Sequence, residues 1–145
     1  MTEEILAPGA VRILDRVADR DAAIRQAGEI LVEAGAVRPE YVDAMLEREA
    51  SVSTYMGNLL AIPHGTNEAK DAILRSALSF VRYEEPVDWA GDEVRFVVGI
   101  AGIGDEHLEI LSKIAIVFSD EDEVAGLLAA GSPDELRARL SAVND

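Results

Sequence analysis

The segment EVRFVVGIA, residues 93–101, is close to an unbroken apolar run of strand length, rich in β-branched and aromatic residues. A strand of that kind suits the middle of a sheet with both faces covered, since a strand with one wet face would alternate. SALSFVRY, residues 76–83, reads as a strand just before it, and AVRIL (Ala10 to Leu14) as a short first strand. EEPVDWAGD, residues 84–92, is turn-rich and reads as the loop between the two longer strands. The cover comes from helical segments on either side. Residues 19–35 carry an apolar stripe at Ile24, Ala27, Ile30 and Leu31, with Asp19 or Asp21 to cap the start and Gly35 at the end. Residues 38–50 form a second helix with Pro39 in its first turn. Three more follow the central strand: 105–119, 120–131 and 132–143. The last is announced by Ser132 as cap, Pro133 as first helical residue and Glu135 closing a capping box. Strands interleaved with helices predict an α/β fold: a single layered domain over residues 1–145, its central mostly parallel or mixed sheet flanked by helices on both faces.

Composition excludes several functions. The formal charge of −15 is opposite to the basic stripe that nucleic-acid binding needs. It either keeps the chain soluble or steers a basic protein partner. With no cysteine there is no disulfide and no thiolate metal site. No apolar run reaches the roughly 20 residues of a membrane span, and the acidic start MTEEILAPGA does not read as a secretory signal. A cytoplasmic protein without direct membrane insertion is the expectation. There is no GxxxxGK[ST] phosphate loop, GIAGIG (99–104) has its glycines in the wrong order for a dinucleotide fingerprint, and no GxSxG elbow occurs. Neither histidine has a ligand-like partner at metal-site spacing. No cofactor and no metal are expected.

The chain has two histidines. His64 stands in NLLAIPHGTNEAK between Pro63 and Gly65. NLLAI reads as a short buried strand, Ile62 is biased to an extended conformation by the following proline, and EAKDAIL (68–74) reads as a short helix. His64 is therefore expected at a strand end, where open α/β sheets place their ligands. Its imidazole can be neutral near pH 7, and if a backbone carbonyl takes the Nδ1 proton, Nε2 is the nucleophile. A loop histidine without a role fits the same position. His107 lies near a helix start and shares a face with Ile110, Leu111 and Ile114, which suits a packed histidine; a helix start also favours phosphate, to which the imidazole could donate. Arg48, between Glu47 and Glu49, reads as a solvated arginine unless the fold brings it to His64.

YMGNLLAIPHGTNEAK resembles the phosphohistidine motif of the mannitol/fructose-type enzyme IIA domains of the bacterial phosphoenolpyruvate-dependent sugar phosphotransferase system. The pattern runs from an acidic or amide residue, here Glu49, through six positions to Met56-Gly57, and ends in Leu60 to Gly65; every fixed position is satisfied. RPEYVDAMLERE, IPHGTNEAKDAIL and DEHLEIL look like the mannitol branch in particular. The chain departs from that branch at Asn58, where some members carry an acidic residue, and in GIGDEH before the second histidine. The resemblance implies a phosphoryl carrier with His64 as acceptor through Nε2 (a tele-phosphohistidine) and His107 and Arg48 beside it. It implies transfer from the histidine of the carrier protein HPr to a cysteine of a cognate enzyme IIB of a membrane sugar permease, without cofactor or metal. Neighbouring backbone N–H groups would help to hold the phosphoryl oxygens. Two other readings are a regulatory, nitrogen-related enzyme IIA acting by phosphorylation-dependent binding, and a non-catalytic binding module. A third, a metal-binding protein using both histidines, is the remaining class.

Overall fold

A computed structural model describes residues 5–6 and 8–140 of the chain. Five strands form one mixed sheet in the order β1-β4-β5-β3-β2, with β1 at Val11–Leu14, β2 at Tyr55–Gly57, β3 at Leu60–Ala61, β4 at Ala77–Trp89 and β5 at Asp92–Ala101. The outer pairs β2–β3 and β1–β4 are antiparallel and parallel respectively, β4–β5 is antiparallel, and β3 runs parallel to β5. The helices are α1 (Arg20–Glu33), α2 (Glu40–Ser51), α3 (Glu106–Phe118), α4 (Glu121–Ala129) and α5 (Pro133–Arg139).

Successive residues of β4 point to opposite faces and show how the layers divide. Ser79 Oγ donates to the Ala27 carbonyl of α1, whereas Phe80 stacks toward Phe118 at the end of α3. On the α3 side, Phe96 of β5 meets Phe118 edge-on at 5.3 Å between centroids. Arg82, also on that side, donates to the carbonyls of Leu127, Leu128 and Ala130 and so satisfies the last turn of α4. The helices thus cover both faces, as expected. The largest buried side chains, Trp89, Tyr83, Phe80 and Phe96, all come from β4 and β5.

The local signals act as read. Asp19 caps α1 by accepting from Ala22 N–H, and Gly35 sits at φ 74° just beyond it. Ser132 caps α5 by accepting from Glu135 N–H, but the Glu135 carboxylate returns to Gly131 N–H rather than to the cap residue itself. The expected extension of this helix to Val143 lies outside the described residues beyond Leu140.

Two segments differ from expectation. EEPVDWAGD is not a loop: β4 runs through it to Trp89, and the hairpin turns at Ala90 and Gly91, both at positive φ. Pro86 is accommodated because the β4–β5 register shifts between Arg82 and Val87, where no ladder N–H is required. Beyond it, Val87 and Trp89 point inward and Asp88 outward, a period-two signal masked by the proline and glycine. NLLAI is a strand only at Leu60–Ala61; Asn58 and Leu59 turn at positive φ from the unforeseen β2. The short helix expected over EAKDAIL is present as a 3-10 helix, Asn67–Ala72.

Candidate functional site

The three candidate side chains, 16 and 43 residues from one another along the chain, line a single cleft of about 680 Å³ at the end of β3 and β5. His64 follows Pro63 directly off β3 and stands opposite Ile100 of β5 in parallel register. Its Nδ1 lies 2.9 Å from the Ile62 carbonyl. A carbonyl only accepts, so Nδ1 carries the proton and Nε2 keeps its lone pair. The tautomer anticipated from the sequence is therefore the one that local geometry selects.

His107 enters from α3. Its ring centroid is 5.2 Å from that of His64, with the planes tilted by 60°. Ile110 and Ile114 of the shared helix face are buried as expected, yet the first turn of α3 carries His107 to the cleft. Gly102 explains how the backbone comes so close: a Cβ there would stand 2.5 Å from His107 Cα and 2.7 Å from its Cβ. Ser76 pins this loop, accepting from Ile103 N–H and donating to the Glu106 carboxylate. The first N–H groups of α3 are engaged in tight turns to the carbonyls of Ile103, Gly104 and Asp105, so the helix start brings positive potential more than open donors.

Arg48 reaches the cleft from the last turn of α2, where Nη1 donates to the Val52 carbonyl at 2.7 Å. Its neighbour Glu49 turns inward. The Glu49 carboxylate is buried and accepts from Thr54 N–H at 3.1 and 3.2 Å, from the Thr54 hydroxyl and from Trp89 Nε1 at 3.1 Å. Asn58 lies elsewhere: its Nδ2 donates to the Phe118 carbonyl at 2.7 Å, a bond that a carboxylate at this position could not make.

Lys70, Thr66 and Tyr41 also line the cleft and were not singled out in the sequence. Lys70 and Thr66 follow His64 closely, so their proximity was legible from spacing. Tyr41 was not: its hydroxyl accepts from Gly65 N–H and donates to Ile100 C=O, 24 and 59 residues away. Gly65 is glycine because the Tyr41 ring lies against it; a Cβ would be 2.5 Å from Tyr41 Cε1.

Burial pushes the His64 imidazole below the ordinary histidine range; the positive Arg48 adds to this, while the Ile62 hydrogen bond and Glu49 oppose it. Burial and the facing His64 likewise lower His107. Both rings are therefore neutral at pH 7, and a neutral ring with a bare Nε2 is a nucleophile. An NMR titration of the two imidazoles should place both midpoints below 6.5. A His64 midpoint at or above that value would contradict the assigned burial and charge environment.

Comparisons with known proteins agree on one relationship. The profile of the family described as phosphoenolpyruvate-dependent sugar phosphotransferase system, EIIA 2, matches residues 4–143. The mannitol-specific phosphotransferase enzyme IIA component of Halalkalibacterium halodurans is 50% identical over 145 residues, covering all of both chains. Among solved structures, the mannitol enzyme IIA of Escherichia coli is 40% identical, with a TM-score of 0.81 over 90% of this chain and 96% of that one. The complex of that IIA with phosphorylated mannitol enzyme IIB gives a TM-score of 0.84 at 39% identity, over 92% of this chain and 95% of its match.

Proposed function

The chain belongs to the EIIA 2 family of the phosphoenolpyruvate-dependent sugar phosphotransferase system, and from that premise we propose that it carries phosphoryl groups from phosphorylated HPr, on His64, to a cysteine of a mannitol-type enzyme IIB. The observation that carries this reading is the His64 Nδ1 bond to Ile62, which leaves a nucleophilic Nε2 in a cleft shared with His107 and Arg48. Residues 1–145 act as one IIA unit in the cytoplasm, and among the described residues no helix is long and apolar enough to cross a membrane.

The steps balance without a general base. The P–N bond of the donor histidine breaks as a P–Nε2 bond forms on His64, whose lone pair needs no deprotonation. Phosphorylation makes the ring cationic, so the Nδ1–H bond to Ile62 becomes charge-assisted and stabilises the carrier state. In the second step the P–Nε2 bond breaks as a P–S bond forms on the IIB thiolate, and His64 returns to its neutral form. The transition state is loose in both directions, so positioning and charge dominate. Arg48 and His107, which line the same cleft, would meet the equatorial oxygens. Val52, Leu74, Ile103 and Leu108 are exposed apolar side chains, each within the cleft lining or next to a residue of it, which suits docking by proteins.

The test is a reconstitution with phosphoenolpyruvate, enzyme I, HPr and mannitol IIB. Phosphate should reach the IIB cysteine only when this chain is present. Transfer from HPr to this chain with none onward to the IIB would support the regulatory reading instead. Arg48→Ala and His107→Ala should each slow single-turnover acceptance by about 100-fold, the usual effect of deleting one donor to a developing charge. Rates within threefold or so of the parent chain in both variants would remove them from the site.

A further inference from the structure

Tyr41 lies on α2 seven residues before Arg48, on the same helix face, and is 2% exposed. Its hydroxyl occupies an unusual place between two strand ends. Ile100 N–H donates directly to the Pro63 carbonyl at 3.0 Å, one rung of the parallel register that sets His64 opposite Ile100. In an unbroken ladder the next rung would run from Gly65 N–H to Ile100 C=O. Here it passes through the phenol: Gly65 N–H donates to Tyr41 Oη at 2.8 Å, and Tyr41 O–H donates onward to Ile100 C=O at 2.8 Å. Two hydrogen bonds in place of one widen the gap from about 2.9 Å to roughly 4–5 Å.

This wedge lies where the two imidazoles diverge. One arm is the chain leaving His64 through Gly65; the other is the end of β5, which leads from Ile100 through Gly102 to the loop that delivers His107. The close fit of the Tyr41 ring on Gly65 locks the first arm, and the contact of Gly102 with the His107 backbone locks the second. Burial pushes the Tyr41 phenol above its ordinary range, so the hydroxyl stays protonated and able to donate at neutral pH.

We propose that Tyr41 is a positioning residue whose hydroxyl, wedged between Gly65 and Ile100, sets the separation of His64 and His107 and thereby the aim of Nε2. The kinetic consequence rests on the carrier role proposed above; the geometric one does not.

Tyr41→Phe in the full chain tests both, since it keeps the ring and removes the two hydrogen bonds. Without any partner, an NMR titration should show that His64→Gln raises the His107 midpoint in an otherwise parent chain, because the charge on the facing His64 holds that midpoint down. In the Tyr41→Phe background that coupling should shrink by about twofold or more. With phosphorylated HPr, the single-turnover rate at saturating donor should fall about 10- to 100-fold, with the half-saturating donor concentration unchanged. A purely structural role would lower only the melting temperature. Parent-like coupling and a parent-like rate in folded Tyr41→Phe overturn the proposal. Should that variant fail to fold, Gly65→Ala presses on the same contact from the other side; it should give the same two changes, and their absence overturns the proposal equally. If the parent chain accepts no phosphoryl group, the carrier role fails and the NMR coupling alone decides the case for Tyr41.

Discussion

His64→Ala should abolish labelling from radioactive phosphoenolpyruvate in the presence of enzyme I and HPr. The loss is expected to be complete rather than partial, because in the proposed role the residue forms the covalent intermediate instead of stabilising it. The adduct on the parent chain should be acid-labile, as a phosphoramidate is. The fold should survive: His64 is only half-buried at the cleft, and its hydrogen bond to Ile62 is a local contact two residues long. The two-histidine composition makes the result decisive. Label that persists in His64→Ala has His107 as its one other histidine acceptor, so His64→Ala/His107→Ala then separates a reassigned acceptor from labelling at a non-histidine residue. His107→Ala by itself should retain an acid-labile adduct formed slowly, and the contrast between complete loss and slow formation distinguishes acceptor from stabiliser.

The geometry around the proposed acceptor was legible because its determinants are contiguous. Pro63 orders the exit from β3, Ile62 supplies the carbonyl two residues away, and the phosphohistidine pattern spans only Glu49 to Gly65. Capping signals at Asp19 and Ser132 were legible for the same reason. What escaped is what the sheet brings together from afar. Tyr41 reads as one more apolar position in a helix, since its two partners, at the ends of β3 and β5, are distant in sequence. The position of His107 on its helix face favours core packing; in the structure Gly102 lies against its backbone and the first turn of α3 reaches the cleft. GIAGIG, set aside as a failed dinucleotide fingerprint, owes at least Gly102 to this close approach. EEPVDWAGD was misread because Pro86 and Gly91 are strong turn signals, and the register shift that tolerates the proline has no local signature.

That misreading hid the largest side chain of the core. Trp89→Ala should destabilise the protein by about 3–5 kcal/mol from lost burial and the cavity left behind. A further 1–3 kcal/mol or so follows because the Glu49 carboxylate loses a donor while remaining buried. Against a total stability of roughly 5–15 kcal/mol, this brings the fold to the edge of unfolding. Trp89→Phe isolates the second effect: it keeps most of the bulk, removes the indole N–H, and should cost about 1–3 kcal/mol. Because Trp89 is the single tryptophan, urea denaturation has to be followed by circular dichroism in place of fluorescence. The cost should reach the site as well. Glu49 links Trp89 to Thr54 immediately beyond the last turn of α2, and Arg48 is its direct neighbour with a bond to Val52 in the same turn. A loosened Glu49 therefore frees the turn that holds Arg48 over the cleft, and Trp89→Phe should slow phosphoryl acceptance about tenfold at temperatures where it is fully folded. A Trp89→Phe protein with unchanged urea midpoint and unchanged transfer rate would show that Thr54 alone holds Glu49, and that the indole contributes bulk and nothing else.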